Sequence, residues 1–160
     1  GRGAETVSYI VDRNVNYTNV CNVYCKFCAF WRTEKDADSY VITLDELDRK
    51  IEETLALGGT QMLMQGGHHP KLTKQWYLDL LSHIRERFPQ VNVHGFSPSE
   101  FIHFQEVFNE PVEGLLKEFV AAGLGFLTEK EDIAVYEVDN WVRLSSMHGH
   151  VIARVANDSL

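Results

Sequence analysis

The three cysteines of this 160-residue chain, Cys21, Cys25 and Cys28, are separated by three and then two residues. Few chemistries use three thiols on one short loop. A structural zinc site takes four protein ligands, a catalytic one takes three with an open position, and the usual spacing is C-x2-C. A disulfide framework takes an even number of cysteines in a secreted chain. Three such thiolates can instead hold three irons of a cubane [4Fe-4S] cluster. The fourth iron then needs a ligand from outside the chain, and chemistry can begin there.

Other residues of chemical interest lie downstream. Gln65-Gly66-Gly67 closes a short apolar run, where missing side chains would let backbone carbonyls reach an ammonium group. His68 and His69 follow at the same rim, and imidazole can bond or move a proton near neutral pH. Asp12, Asn14 and Asn16 alternate, so in a strand they share one face, and a polar substrate would satisfy them there. Asn92 and His94 form a second such pair, opposite Val91 and Val93. His83 reads as a surface residue of a helix, and His103, His148 and His150 show no metal spacing.

The elements that position these residues are legible from periodicity and caps. A first strand is expected at 7–11 or 15–18. Thr43, with Glu46 three positions on, looks like a capping box. The stripe Leu44, Leu47, Ile51, Leu55 then predicts a helix that ends at Gly58-Gly59. A buried strand is expected over 61–64. A second helix follows from Thr73, with Trp76, Tyr77, Leu80, Leu81 and Ile84 on its inner face and Phe88-Pro89 as its stop. A strand over 91–96 and a helix from Pro111 to Gly123, with Val112, Leu115, Leu116, Phe119 and Val120 inward, complete the pattern. Alternating strands and helices at this spacing predict an α/β fold with a parallel sheet. In such sheets, ligand sites gather at the C-terminal strand ends. The cysteine loop, the Gly66-Gly67 turn and the Phe96-Ser97-Pro98 turn all fall there.

The pattern Cys-x3-Cys-x2-Cys, with Phe27 before the last cysteine, resembles the signature of the radical S-adenosylmethionine (radical SAM) enzymes. The flanking runs Tyr9-Ile-Val-Asp12, Gln61-Met-Leu-Met-Gln-Gly-Gly-His-His-Pro70 and His94-Gly-Phe-Ser-Pro-Ser-Glu100 are similar to its menaquinone and deazaflavin cofactor branch, most nearly the cyclic dehypoxanthinyl futalosine synthases. The resemblance covers about residues 4–124.

It implies a partial TIM-barrel-like core, a [4Fe-4S] cluster on the three cysteines, and S-adenosyl-L-methionine as cofactor. Phe27 would pack near the adenine, Gln65, Gly66 and Gly67 would meet the methionine end, and Ser97 would also contact the cofactor. Asn14, Asn16, Tyr17, His68, His69, His94 and Glu100 would face a nucleoside-like substrate. The implied reaction is cyclisation of dehypoxanthine futalosine through a 5′-deoxyadenosyl radical, with an external electron donor. Aminofutalosine synthase, the deazaflavin-forming synthase and a noncatalytic iron–sulfur fragment stay open as alternatives.

Composition limits the partners. With 15 basic against 23 acidic residues and a net charge of -8, nonspecific binding to nucleic acid or an anionic membrane is disfavoured. No apolar run reaches membrane-spanning length, and the chain reads as cytoplasmic with reduced thiols. The first residue is glycine, which suggests a fragment or a processed start. Residues 1–124 read as the front of a barrel, and 125–160 as a divergent tail. In that tail 133–138 and 151–155 are β-like, with 141–147 irregular between them. Later barrel strands have no counterpart, leaving a truncation, a frameshifted product or a remodelled relative as alternatives. An open strand edge of that kind would favour self-association.

Overall fold

A computed structural model describes residues 11–26 and 28–125 and the backbone of two further strands, at 141–146 and 149–154. Strand β1 (Asp12–Asn16) leads into the cysteine loop. Helix α1 (Leu44–Ala56), strand β2 (Gln61–Gln65), helix α2 (Lys74–Arg87) and strand β3 (Asn92–Gly95) follow, and then helices α3 (Pro98–Phe108) and α4 (Val112–Ala122). The three strands form one parallel sheet in the order β1-β2-β3. The parallel α/β core is thus the expected one, in partial form.

Local chemistry sets the helix starts. Thr43 and Thr73 each accept a hydrogen bond from the backbone N–H three residues on, at Glu46 and Trp76. Leu47 and Ile51 are fully buried as their spacing predicts, but Leu44 lies exposed. Helix α3 was not expected. Ser97-Pro98-Ser99-Glu100 forms a complete capping box with proline in the first turn. Phe101, Phe104 and Phe108 then repeat at helical spacing. The segment read as a turn after the third strand is therefore a helix start.

The strand faces sort cleanly. Val15, Met62, Met64 and Val93 point into the core, with Leu80, Leu81, Ile84, Leu115 and Phe119. At the strand ends, the rings of Tyr17, Tyr77, Phe101, Phe104 and Phe119 surround Phe96, with centroids 5.4 to 6.2 Å away. Phe96 adopts a positive φ of 61°, which a bulky residue tolerates only when its surroundings hold it there. The opposite face carries Asp12, Asn14, Asn16, Gln61, Leu63, Gln65, Asn92 and His94, all exposed or half-buried.

In the tail, β4 (Trp141–Ser146) pairs antiparallel with β5 (Gly149–Arg154). Residues 141–146, part of the stretch 141–147 expected to be irregular, are thus strand, since cross-strand pairing supplies partners that no local pattern reveals. The expected strand at 133–138 lies outside the described residues. Among the described residues, no helix is long and apolar enough to cross a membrane.

Candidate functional site

Parallel register brings the site together. Asn16 pairs with Gln65, and Met64 with Gly95, so the three chains leave the sheet at the same edge. The cysteine loop leaves β1 there. Its neck is closed by Cys21 N–H to Arg32 O (3.0 Å) and Arg32 N–H to Asn19 O (2.8 Å). A strap behind it is held by Thr18 Oγ1 donating to Tyr40 O (2.6 Å) and Ile42 N–H donating to Tyr17 O (2.8 Å). The loop is therefore tethered at its base while its tip faces outward.

All three thiols are free and half-buried. Cys28 N–H donates to Cys25 O at 3.2 Å. Between Cys21 and Cys25, Tyr24 takes a positive φ of 54° and lies edge-on to Trp31 at 5.1 Å. Phe30 is 75% exposed on the same loop. An open hollow of about 430 Å³ lies beside Cys28, walled by Trp31, Asp36 and the Arg32–Asp38 ion pair at 2.7 Å. Among the described residues, no three His, Cys, Asp or Glu side chains converge as a set of metal ligands. Phe27 lies outside the described residues.

The Gln65-Gly66-Gly67 turn packs directly behind the loop. Gly67 N–H donates to Thr18 O (2.9 Å), and Asn22 N–H donates to His68 O (3.1 Å). A Cβ on Gly67 would overlap Val20 O and approach Cys21 Cβ to 2.9 Å, and one on Gly66 would overlap the Tyr17 ring. These glycines allow close backbone contact with β1 and the loop. Space for a cofactor, the expected reason for them, is not what lies opposite their missing side chains.

Several expected site residues make internal bonds here. Tyr17 is fully buried and donates to Glu100 Oε1 at 2.7 Å. Glu100, 2% exposed, also accepts from Gly66 N–H (3.2 Å) and Ser97 N–H (2.6 Å). Burial pushes both groups up in pKa, and for Glu100 the bonds from Ser97, Tyr17 and Gly66 oppose it. His69 is 8% exposed, and its Nδ1 accepts from the N–H groups of Lys71 (3.1 Å) and Leu72 (3.2 Å). Burial lowers its pKa; Glu34 opposes the shift, while Lys71 and His103 add to it. Tyr17, His69 and Glu100 hold the site's frame, and none of the three is open to a substrate in this fold. Ser97 uses its Oγ as a helix cap, accepting from Glu100 N–H and bonding Ser99 Oγ at 2.9 Å.

Asn14, Asn16 and His94 lie on the open sheet face, as their alternation predicts. Asn14 Nδ2 donates to Gln65 Oε1 at 3.3 Å, which joins Gln65 to that face. His68 stays at the rim, its ring stacked on His103 at 4.9 Å. His103, which carried no signal in sequence, is buried, with Nε2 3.1 Å from His69 O. Its place three residues after Glu100, on the inner face of an aromatic-rich helix, could have revealed it. His83 is no simple surface residue, since its Nε2 lies 2.7 Å from Asp48 Oδ1.

Comparison with known proteins places this geometry in context. The model of the radical SAM superfamily matches residues 15–128. That of a domain of unknown function (DUF8185) matches 118–158. A cyclic dehypoxanthine futalosine synthase of Halalkalibacterium halodurans is 47% identical over 117 residues, covering 73% of this chain and 32% of that protein. A 5-amino-6-(D-ribitylamino)uracil–L-tyrosine 4-hydroxyphenyl transferase of Methanopyrus kandleri is 40% identical, over 75% of this chain and 32% of that protein. An FO synthase of Streptomyces coelicolor is 41% identical, over 62% of this chain and 11% of that protein. The chain spans about a third of the length of the first two relatives.

Proposed function

This chain belongs to the radical SAM superfamily, and on that premise we propose that Cys21, Cys25 and Cys28 hold a [4Fe-4S] cluster, with S-adenosylmethionine seated at the strand ends beside it. Proteins of this superfamily use that cluster and that cofactor, act on small molecules and draw on an external electron donor. The donor set fits the group: three unpaired thiols sit on one tethered loop, and three ligands suit a cluster with one iron left for the cofactor. A cluster and cofactor held there would supply one-electron radical chemistry.

The residues of the chain bind and orient. The carbonyls of Gln65 and His68 already accept from Tyr17 N–H and Asn22 N–H, so Gly66 and Gly67 are the carbonyls proposed to meet the methionine ammonium. Phe27, by its match to the family aromatic, is the proposed adenine contact, and Ser97 supports the cofactor at the third strand end. Asn14, Asn16 and His94 form the proposed substrate face with Gln65, and His68 lines its rim. A polar face on an open sheet suits a nucleoside-like molecule, whose hydroxyls and ring nitrogens match amide and imidazole partners.

The proposed substrate is dehypoxanthine futalosine, cyclised on the route to menaquinone. The likeness to two synthases bearing that name supports it, at 47% and 41% identity. The likeness to the hydroxyphenyl transferase and FO synthase keeps a deazaflavin-branch activity as the second reading. Residues 1–124 are the proposed barrel portion and 125–160 a separate tail. The edges of β1 and β3 offer a route to self-association, since each pairs on one side only among the described residues.

The observation that carries the proposal is the convergence of cysteine loop, glycine turn and Ser97 turn on one sheet edge. The test is anaerobic reconstitution with iron and sulfide, then dithionite and S-adenosylmethionine. Formation of 5′-deoxyadenosine is expected; a chain that takes up no cluster would refute the reading. Adding dehypoxanthine futalosine, or the deazaflavin-branch substrates, separates the two readings by product mass.

A further inference from the structure

We propose that Glu100 is a positioning residue, whose carboxylate fixes the Gly66-Gly67 turn against Cys21 by tying β1, β2 and α3 together at the site's edge. The inference rests on the cluster reading above and deepens it.

A capping box alone needs only one oxygen of this side chain, and Oε2 meets that need by accepting from Ser97 N–H at 2.6 Å. Oε1 does something else. It accepts from Tyr17 O–H, 83 positions away in sequence, and from Gly66 N–H, 34 positions away. One buried carboxylate therefore gathers donors from the ends of β1 and β2 and the start of α3. Burying a carboxylate is costly unless it is well bonded, and three donors offset that cost here. Capping glutamates on surface helices face water and bear no such cost.

The contacts beyond Glu100 reach the cysteines. Gly66 lies flat against the Tyr17 ring, and Gly67 presses on Val20 O and Cys21 Cβ. Gly67 N–H and Asn22 N–H then bind this turn to the loop through Thr18 O and His68 O. If Gly66 N–H loses its acceptor, the turn can shift, and the first cysteine shifts with it. Glu100 touches neither cluster nor cofactor in this scheme; it sets the distance between the cysteine loop and the turn proposed to hold the methionine end.

The test uses the 160-residue chain, reconstituted anaerobically, as wild type, Glu100→Gln and Tyr17→Phe. Glutamine keeps the size but puts an NH2 in place of one oxygen; turned one way it strands Ser97 N–H and turned the other way Gly66 N–H, and either loss loosens the joint that the carboxylate makes between the strand ends and α3. Glu100→Gln is expected to bind S-adenosylmethionine about 10-fold or more weakly, read from the cofactor-induced change in the cluster's electron paramagnetic resonance signal. Its iron content should stay within about twofold of wild type. Tyr17→Phe breaks the tie to β1 alone and leaves both backbone N–H groups bonded, so its loss of affinity should be smaller than that of Glu100→Gln. Wild-type affinity in Glu100→Gln would overturn the proposal. Wild type that takes up no cluster would overturn the cluster reading and this inference with it. If Glu100→Gln does not fold, the wild-type apoprotein decides: Gly66 N–H should be protected from hydrogen exchange and its resonance should follow the titration of Glu100. A Gly66 amide that exchanges at the unprotected rate would overturn the proposal.

Discussion

Gly66 lies face-on to the phenol ring of Tyr17, so closely that no side chain fits between them. The contact joins the end of β2 to the end of β1, directly below the cysteine loop. It gives this glycine a structural reason that the turn's sequence did not suggest.

Gly66→Ala should therefore act on the fold first. The new methyl must displace the Tyr17 ring, which the buried aromatic cluster and Glu100 hold in place. A loss of about 1–3 kcal/mol is expected from overpacking. Urea denaturation of the apoprotein checks it. Unchanged stability with impaired cofactor binding would restore the view that the turn is open to the methionine end.

Cys25→Ala should abolish the reconstituted cluster, and Cys21→Ala and Cys28→Ala should do the same, because two loop thiols cannot complete the set. Iron and sulfide analysis and the visible absorption of the anaerobic protein are the readouts. Wild-type stoichiometry in any of the three would remove the cluster assignment.

His69 should make the loop sensitive to acid. Its folded pKa lies below the ordinary value of 6.5, chiefly through burial. The neutral ring is thus the stabilised form, with Nδ1 accepting from Lys71 and Leu72 N–H. That stability is fully present above pH 6.5 and is lost as pH falls through 6.5 toward the lower folded value. Thermal melts of the apoprotein should show a decline between about pH 7 and pH 5 that is shallower in His69→Phe. Equal slopes would show that the imidazole is not coupled to folding.

Asp48 joins α1 to α2 through His83 at 2.7 Å and Arg87 at 3.1 Å. Asp48→Ala should cost about 1.5–3 kcal/mol, the range for a hydrogen-bonded charge that is largely buried. Cluster uptake should be unaffected, because the ion pairs of Asp48 run to His83 and Arg87 of α2 and not to the cysteine loop. Denaturation midpoint and iron content, measured on the same variant, separate the two effects.

The sequence alone determined the cysteine spacing and the ligand count it offers, both threonine-capped helices, the parallel βα order and the open polar face of Asn14, Asn16 and His94. Each is written in a period, a cap or a ligand count that nearby residues carry. Only the tertiary structure decided the roles of Tyr17, His69, His103 and Glu100. Their partners lie tens of positions away, and a polar side chain reads the same in sequence whether it faces a ligand or a buried donor. Helix α3 shows the boundary between the two cases. Its Ser97-x-x-Glu100 spacing has the form of a capping box but reads as a turn, and burial of Glu100 beneath two strand ends follows only from the parallel register that brings Tyr17, Gly66 and Ser97 to one edge.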